Sequence, residues 1–223
     1  MKVSKGTKIT LFTIALLIID QVIKILVKTN MTIGQSINVF GDWCQIYFIE
    51  NIGMAFGMNF GAGVGKLLLS AFRIVLIVAI IIYIRSLLKR EDTPNGVLYA
   101  LAAILCGAMG NIVDCVFYGV IFSESTFSNV AMLFPPDGGY APLLYGKVVD
   151  MFYFPLIDTT WPEWIPFIGG HPFKFFNAIF NFADACISVS AVYLILFQWK
   201  FFSRTLGEEK DEEKAQQGNQ PKK

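Results

Sequence analysis

Charged residues are scarce in this sequence, and their scarcity excludes an ordinary soluble domain. Only 16% of its 223 residues are Asp, Glu, Lys or Arg, whereas 55% are hydrophobic. Soluble domains typically contain about 25% charged residues. The formal net charge is only +1, so there is no basic excess that would favour a nucleic-acid partner. The composition therefore indicates an integral membrane protein.

Cysteine and histidine are also rare, which argues against disulfides and metal sites. The four cysteines, Cys44, Cys106, Cys115 and Cys186, show no CxxC or zinc-ligand spacing. Three of them lie in apolar segments, so we interpret all four as small hydrophobic residues. The single histidine, His171, lies in a Gly- and Pro-containing stretch and is not interpreted as a ligand. We expect no metal and no cofactor.

Four hydrophobic segments are long enough to span a hydrocarbon core of about 30 Å. They cover residues 9–27, 67–88, 97–122 and 175–202. The first follows three lysines, as the hydrophobic region of a signal peptide does. However, it lacks a small-residue cleavage site and is longer than such a region. The sequence therefore predicts an all-α membrane protein with four transmembrane helices.

The distribution of Lys and Arg predicts how these helices are oriented. Basic residues concentrate before the first segment, in the turn between the second and third, and after the fourth, whereas residues 28–66 and 123–174 contain few. The positive-inside rule then places both termini in the cytoplasm and the two long connections outside. Residues 1–203 form one membrane domain, and the charged residues 204–223 are predicted to be a disordered cytoplasmic tail. Arg73 is interpreted as reaching the outer interface.

Polar residues in three of the segments fall at one predicted depth, in the outer half of the membrane. They are Asp20, Lys24, Asn111, Asp114, Asn181 and Asp184. Spacings of three or four residues put each pair on one helix face, and Asn177 and Ser188 extend the last stripe. Ionisable residues inside a membrane are costly and usually functional, so we predict a polar site near the outer surface. For Asp20 with Lys24, the favoured interpretation is that they hold helices together.

Other functions fit parts of this pattern. A transporter or channel subunit would also use polar residues at one depth, although the inner halves of the segments are nearly all apolar. A Ser/Lys peptidase using Ser70 and Lys66, four residues apart, is a weaker alternative, because a lysine that marks a helix end is commoner. A purely structural subunit of an assembly is the last alternative.

Five short motifs, in order along the chain, resemble those of the lipoprotein signal peptidases, the type II signal peptidases of bacteria. They are DQVIK (20–24), ENIGMAFG (50–57), GNIVD (110–114), YGKVVDMF (145–152) and FNFADACI (180–187). The resemblance implies a four-helix bundle with a small β-like extracytoplasmic cradle. It implies a multi-pass aspartyl endopeptidase of the bacterial cytoplasmic (inner) membrane that cleaves prolipoproteins before a diacylglyceryl-modified cysteine. It further implies a monomer whose partners are the prolipoprotein and membrane lipid.

The same resemblance implies roles for individual residues. Asp150 and Asp184 match the catalytic pair of the family. Site-lining or supporting residues are implied at six further positions, Asn51, Asn111, Asp114, Asn181, Asp20 and Lys24. The sequence departs from the family at Cys115, where an arginine is usual, and Lys147 is a candidate replacement cation. It also carries insertions in the outer connections, at residues 123–148 and 155–172.

Overall fold

The structure is a computed structural model that describes residues 3–51 and 64–204. Three predictions fall wholly or partly outside these residues. The ENIGMAFG motif is described only as far as Asn51, the Lys66 side chain of the alternative Ser/Lys pair is not described, and neither is the predicted tail beyond Arg204.

Within those ranges, three helical segments are long and apolar enough to cross a membrane. Helix α1 covers Lys5–Asn30 and α2 covers Val64–Leu87. Helix α3, Asn95–Val113, runs directly into a π-helical turn, Asp114–Tyr118, and the short helix α4, Gly119–Ile121. Single π-helical turns inside a helix are rare and occur frequently at functional sites. The first residue of this turn, Asp114, is a buried acid and is therefore a candidate site residue.

The fourth predicted segment starts later than the sequence indicated. Strands β5 (Pro172–Phe175) and β6 (Ile179–Phe180) occupy its first residues, and the helix that follows, α5, covers Phe182–Phe197. At 1.5 Å per residue these 16 residues extend about 24 Å, less than a hydrocarbon core of about 30 Å. Helical residues 199–204 follow after a break at Gln198. A fourth span therefore stays a prediction.

A four-stranded antiparallel sheet forms the β-like cradle that the resemblance implied. Its strands are ordered β1 (Ser36–Phe40), β2 (Cys44–Asn51), β3 (Val148–Tyr153) and β6. Strands β2 and β3 are far apart in sequence, and their register pairs Ile49 with Asp150. Strand β4 (Ile157–Thr160) pairs with β5 in a separate two-stranded sheet. The insertion at 155–172 is thus mostly a hairpin added outside the cradle.

Two buried apolar clusters hold these elements together. One lies between α1, α2 and α3 and includes the fully buried Leu98. The other joins Val27, near the end of α1, to Phe48 of β2 and Met151 of β3. Ala131, from the first insertion, also belongs to the second cluster. The sheet is consequently fixed on the end of the helices at which α1 terminates and α5 begins.

Candidate active site

Asp184 lies in the first turn of α5, where a capping box fixes its position. Asn181 precedes the helix with extended backbone, and its side-chain oxygen accepts a hydrogen bond from Asp184 N at 2.9 Å. In return, Asp184 Oδ2 accepts a hydrogen bond from Asn181 N at 3.3 Å. The predicted helical stripe from Asn177 to Ser188 is therefore wrong at its start, because the helix begins only at Phe182. A negative charge in the first turn also suits the helix dipole.

Asp150 lies in β3 and is 3% exposed. Asn181 Nδ2 donates a hydrogen bond to Asp150 Oδ1 at 2.6 Å. The Asn51 side chain, at the end of β2, also hydrogen-bonds this carboxylate. Burial, and then the nearby negative charge of Asp184, raise the pKa of Asp150 to about 7. The group therefore exchanges a proton close to neutral pH.

Two asparagine side chains bridge the two acids. Asn181 Nδ2, which contacts Asp150, also donates to Asn111 Oδ1 at 3.1 Å. Asn111 Nδ2 then donates to Asp184 Oδ1 at 2.8 Å. The amides come from α3 and from the residue that caps α5, so the bridge connects three elements. The predicted site residues from the third and fourth segments are thus brought together with Asp150.

Lys24 lies behind this bridge and is fully buried. Its ammonium group lies 3.1 Å from Asp20 Oδ2 and 2.9 Å from Asp114 Oδ2. It also donates to Asn111 Oδ1 at 2.9 Å. One cation therefore neutralises part of the charge of two buried acids and fixes the oxygen of a bridging amide. The interpretation that Asp20 and Lys24 join helices agrees with these contacts.

Asp20 and Asp114 also hold the two peptide segments that carry the candidate pair. Asp20 Oδ1 accepts a hydrogen bond from Ala183 N at 2.9 Å, immediately before Asp184. Asp114 Oδ2 accepts one from Val149 N at 3.2 Å, immediately before Asp150. Each acid of the pair is thus preceded by a residue whose amide is fixed by a buried carboxylate. Asp20 and Asp114 are called the positioning acids, because each holds the backbone beside one acid of the candidate pair.

Two glycines of α3 permit this close packing. A Cβ atom at Gly110 would overlap Asp20 Oδ2, and one at Gly107 would overlap the carbonyl oxygen of Ala183. Small residues let helix backbones approach closely inside membranes. The two glycines therefore allow α3 to contact both α1 and the start of α5.

Sequence reasoning missed Gln21, which joins the two positioning acids. Its Nε2 atom lies 3.0 Å from Asp20 Oδ2 and 3.0 Å from Asp114 Oδ1, and its Oε1 accepts from Tyr118 at 3.1 Å. Gln21 is adjacent to Asp20 in sequence, so the search for partners three or four residues apart did not select it. Its position inside the DQVIK motif was the sequence feature that could have identified it as a site residue.

A second charged cluster, also missed, lies on the cradle beside the site. Glu50 Oε1 accepts hydrogen bonds from the buried Lys28 of α1 and, at 2.9 Å, from Ser125 of the first insertion. Glu50 Oε2 lies 3.3 Å from Lys147, which also pairs with Glu124 at 3.2 Å. These residues come from separate elements, so their convergence depends on the fold. The cluster attaches the first insertion to β2.

The structure gives the contacts of two cations that the sequence singled out. Arg73 is half-buried, and its Nη1 lies 3.6 Å from Cys115 Sγ, so its guanidinium contacts the π-helical turn that follows α3. Its place at the outer interface stays a prediction. The ion pairs that Lys147 forms within the described ranges are with Glu50 and Glu124, so it is not the cation beside Asp114 that was expected to replace an arginine. The cation beside Asp114 is Lys24. Cys106 and Cys115 are buried, whereas Cys44 and Cys186 are partly exposed.

Two carboxyl groups linked in this way suit acid–base chemistry. When one is ionised, its charge disfavours ionisation of the other, so the pair retains a proton near neutral pH. Among residues 3–51 and 64–204, no group of three or more His, Cys, Asp or Glu side chains is arranged to hold a metal ion.

Comparison with known proteins gives consistent matches over most of the chain. A family model described as signal peptidase (SPase) II matches residues 12–200. A lipoprotein signal peptidase from Porphyromonas gingivalis is 47% identical over 195 residues, which cover 87% of this chain and 84% of the relative. One from Amoebophilus asiaticus is 36% identical over 83% of this chain and 75% of the relative.

A solved structure has a similar fold. It is described as a bacterial membrane enzyme structure obtained by the in meso method, and it matches with a TM-score of 0.54. The match covers 88% of this chain and 90% of that chain at 21% sequence identity. At this identity the likeness concerns the fold alone.

Proposed function

Because this chain belongs to the signal peptidase II family, we propose that Asp150 and Asp184 are the catalytic pair of an aspartic endopeptidase. The chain is a membrane peptidase that removes the signal peptide from prolipoproteins. Its family gives no support to the transporter or channel alternative. The substrate that the proposal implies carries a diacylglyceryl cysteine just after the scissile bond.

The proposed mechanism uses one ionised and one protonated acid. The ionised carboxylate takes a proton from a water molecule, and the water oxygen attacks the scissile carbonyl carbon. The protonated acid donates a hydrogen bond to the carbonyl oxygen and then supplies the proton that the leaving amine requires. The raised pKa of Asp150 supports this residue as the acid that holds the proton.

The observation that carries this proposal is the amide bridge between the acids. Asn181 and Asn111 donate to Asp150 and Asp184, which fixes the facing oxygens of two carboxyl groups that would otherwise repel each other. Preorganised dipoles of this kind need no reorientation as charge develops during a reaction. The raised pKa of Asp150 supports the presence of a proton on the pair at neutral pH.

The test is cleavage of a diacylglyceryl-modified prolipoprotein by the purified protein. We expect Asp150→Asn and Asp184→Asn each to lower the cleavage rate by about 10²–10⁴-fold, because positioned acid–base groups contribute that much. Asp137→Asn, in an exposed part of the first insertion, is the matched control and keeps the wild-type rate. Full activity of Asp184→Asn would refute the mechanism.

We also propose that the catalytic pair lies near the outer face of the bacterial cytoplasmic membrane, with both termini in the cytoplasm and the protein a monomer. Clusters of basic residues lie at the start of α1, in the α2–α3 turn and after α5, at the ends of the helices remote from the sheet, which supports this orientation. Labelling of single cysteines placed at position 38 of the cradle and position 91 of the α2–α3 turn tests it. Only the first should react with a membrane-impermeant reagent in intact cells, since the two sites lie on opposite sides.

A further inference from the structure

A groove opens between α1 and α2 at the end of the bundle remote from the catalytic pair. Its volume is about 320 Å³, and its base is formed by Leu105 and Met109 of α3. Both α1 and α2 pack against α3, which leaves a gap between them. At one end the helices come together, since a Cβ atom at Gly6 would lie only 3.6 Å from Leu88 Cδ1.

The walls of the groove are apolar along most of their length. Ile9 and Ile14 of α1 face Ile81 and Ile84 of α2. Thr13 also lines the groove, but its hydroxyl donates to the carbonyl oxygen of Ile9 at 3.0 Å and so needs no partner in the groove. A flexible hydrocarbon chain suits such a surface.

The end of the groove near Gly6 carries one cation, Arg85. Arg85 is exposed and forms no ion pair with any residue of the described ranges. The nearby acid of the α2–α3 turn, Asp92, instead pairs with Arg90 and Arg204. The guanidinium at the end of the apolar groove is therefore exposed and is not paired with an acid of the described ranges.

Further cations flank this end. Lys5 precedes Gly6, and Lys89 follows Leu88, and both side chains are exposed. Arginine binds phosphate oxygens through paired hydrogen bonds, and basic pockets between transmembrane helices bind anionic lipid head groups. A hydrocarbon groove that ends in a basic cluster matches one class of ligand, a phospholipid with net negative charge.

We propose that this groove binds an anionic phospholipid of the cytoplasmic leaflet, with an acyl chain along the apolar walls and its phosphate on Arg85. The leaflet follows from the orientation proposed above. The lipid site itself does not depend on the catalytic pair, so failure of either proposal leaves the other testable.

The test measures lipid retention by the purified full-length protein in detergent. Native mass spectrometry counts bound dioleoyl phosphatidylglycerol or dioleoyl phosphatidylcholine during titration, so the two probes differ only in head group. We expect wild-type protein to bind phosphatidylglycerol about tenfold more tightly, and Arg85→Gln to remove that difference, since a hydrogen bond to a charged group contributes about a tenfold effect or more. Arg204→Gln, at the same end but outside the groove, is the matched charge control.

A second variant tests the groove rather than the charge. Thr10 lines the groove on the exposed face of α1, so Thr10→Trp fills it without altering the buried core. We expect this variant to lose bound phosphatidylglycerol while prolipoprotein cleavage stays unchanged. Equal retention of both lipids by the wild type, or wild-type retention by both variants, overturns the proposal. A dimer that Thr10→Trp abolishes would assign the groove to a second copy instead and would also overturn it.

Discussion

The carboxyl group of Asp150 holds its proton over a different pH range from an exposed aspartate. Burial and the charge of Asp184 raise its pKa to about 7, whereas an unperturbed aspartate has a pKa of about 3.9. Between these values the folded protein binds a proton that the unfolded chain has released. The contribution of this group to the free energy of unfolding therefore decreases as the pH rises from about 4 to about 7.

The same titration predicts the pH dependence of activity. We expect the cleavage rate to fall as the pH rises through about 7, because the pair then loses the proton that polarises the carbonyl. Asn51→Ala removes a hydrogen bond that lowers the pKa of Asp150, so the falling limb should move to higher pH. Initial rates between about pH 5 and about pH 9 measure both effects. A rate that stays constant through neutral pH would contradict this assignment.

The sequence identified some residues of the candidate site and missed others. Asp20, Lys24, Asn111, Asp114 and Asp184 stood out because polar groups are expensive inside apolar helices. Asp150 did not, since it lies on a strand outside the helices, and only the resemblance selected it. Gln21 and Glu50 were missed because their roles depend on contacts between distant elements.

At the scale of elements, Lys24 joins α1 to α3 and supports the start of α5. Lys24→Met leaves Asp20 and Asp114 buried without a cation, and we expect it to destabilise the protein by about 3–5 kcal/mol. Unfolding by denaturant in detergent measures this change.

A triple variant tests whether the stability lost in Lys24→Met comes from the uncompensated charges of Asp20 and Asp114. Adding Asp20→Asn and Asp114→Asn to Lys24→Met removes the uncompensated charges, while each amide oxygen can still accept from Ala183 or Val149. We therefore expect the triple variant to regain most of the lost stability. Equal stability of Lys24→Met and wild type would show that the cation is not needed.

Glu50 connects the first insertion to β2, the strand that pairs with the one carrying Asp150. Glu50→Gln leaves the buried Lys28 without its carboxylate, and the register places Glu50 opposite Val149. We expect a lower free energy of unfolding, by about 3–5 kcal/mol, and slower cleavage. Glu124→Gln is the matched control, because Glu124 is 63% exposed and its ion pair contributes only about 0–1 kcal/mol. Similar losses in the two variants would argue against a special role for Glu50.

The helices show where pattern-based prediction reached its limit. The first three helices were predicted correctly because a long apolar run in a membrane protein has few structural alternatives to a membrane-spanning helix. The start of the fourth was misplaced because residues 175–180 are largely apolar, yet Phe175, Ile179 and Phe180 belong to strands of the two sheets. Only pairing with β3 and β4 distinguishes those residues from helix, and register is not visible in one sequence.

For the whole molecule, the hairpin of β4 and β5 is separable from the catalytic framework. Strand β6 pairs with β3 through Ile179 with Tyr153 and Phe180 with Phe152, on the side of the hairpin nearer the site. We expect replacement of residues 156–176 by a short Gly-rich turn to keep this pairing and to change the cleavage rate less than about tenfold. Cleavage of a purified prolipoprotein measures it, and a loss as large as that of Asp184→Asn would show that the hairpin completes the site.

The contact between Asp20 and the amide of Ala183 has a consequence for biosynthesis. Synthesis proceeds from the N-terminus, so Asp20, Asp114 and Asp150 are all added to the chain before Asp184. A nascent or C-terminally truncated chain therefore lacks both half of the proposed catalytic pair and the asparagine that caps it. Under the proposed mechanism, the chain therefore gains activity only once the final helix has been made and has folded against α1 and α3.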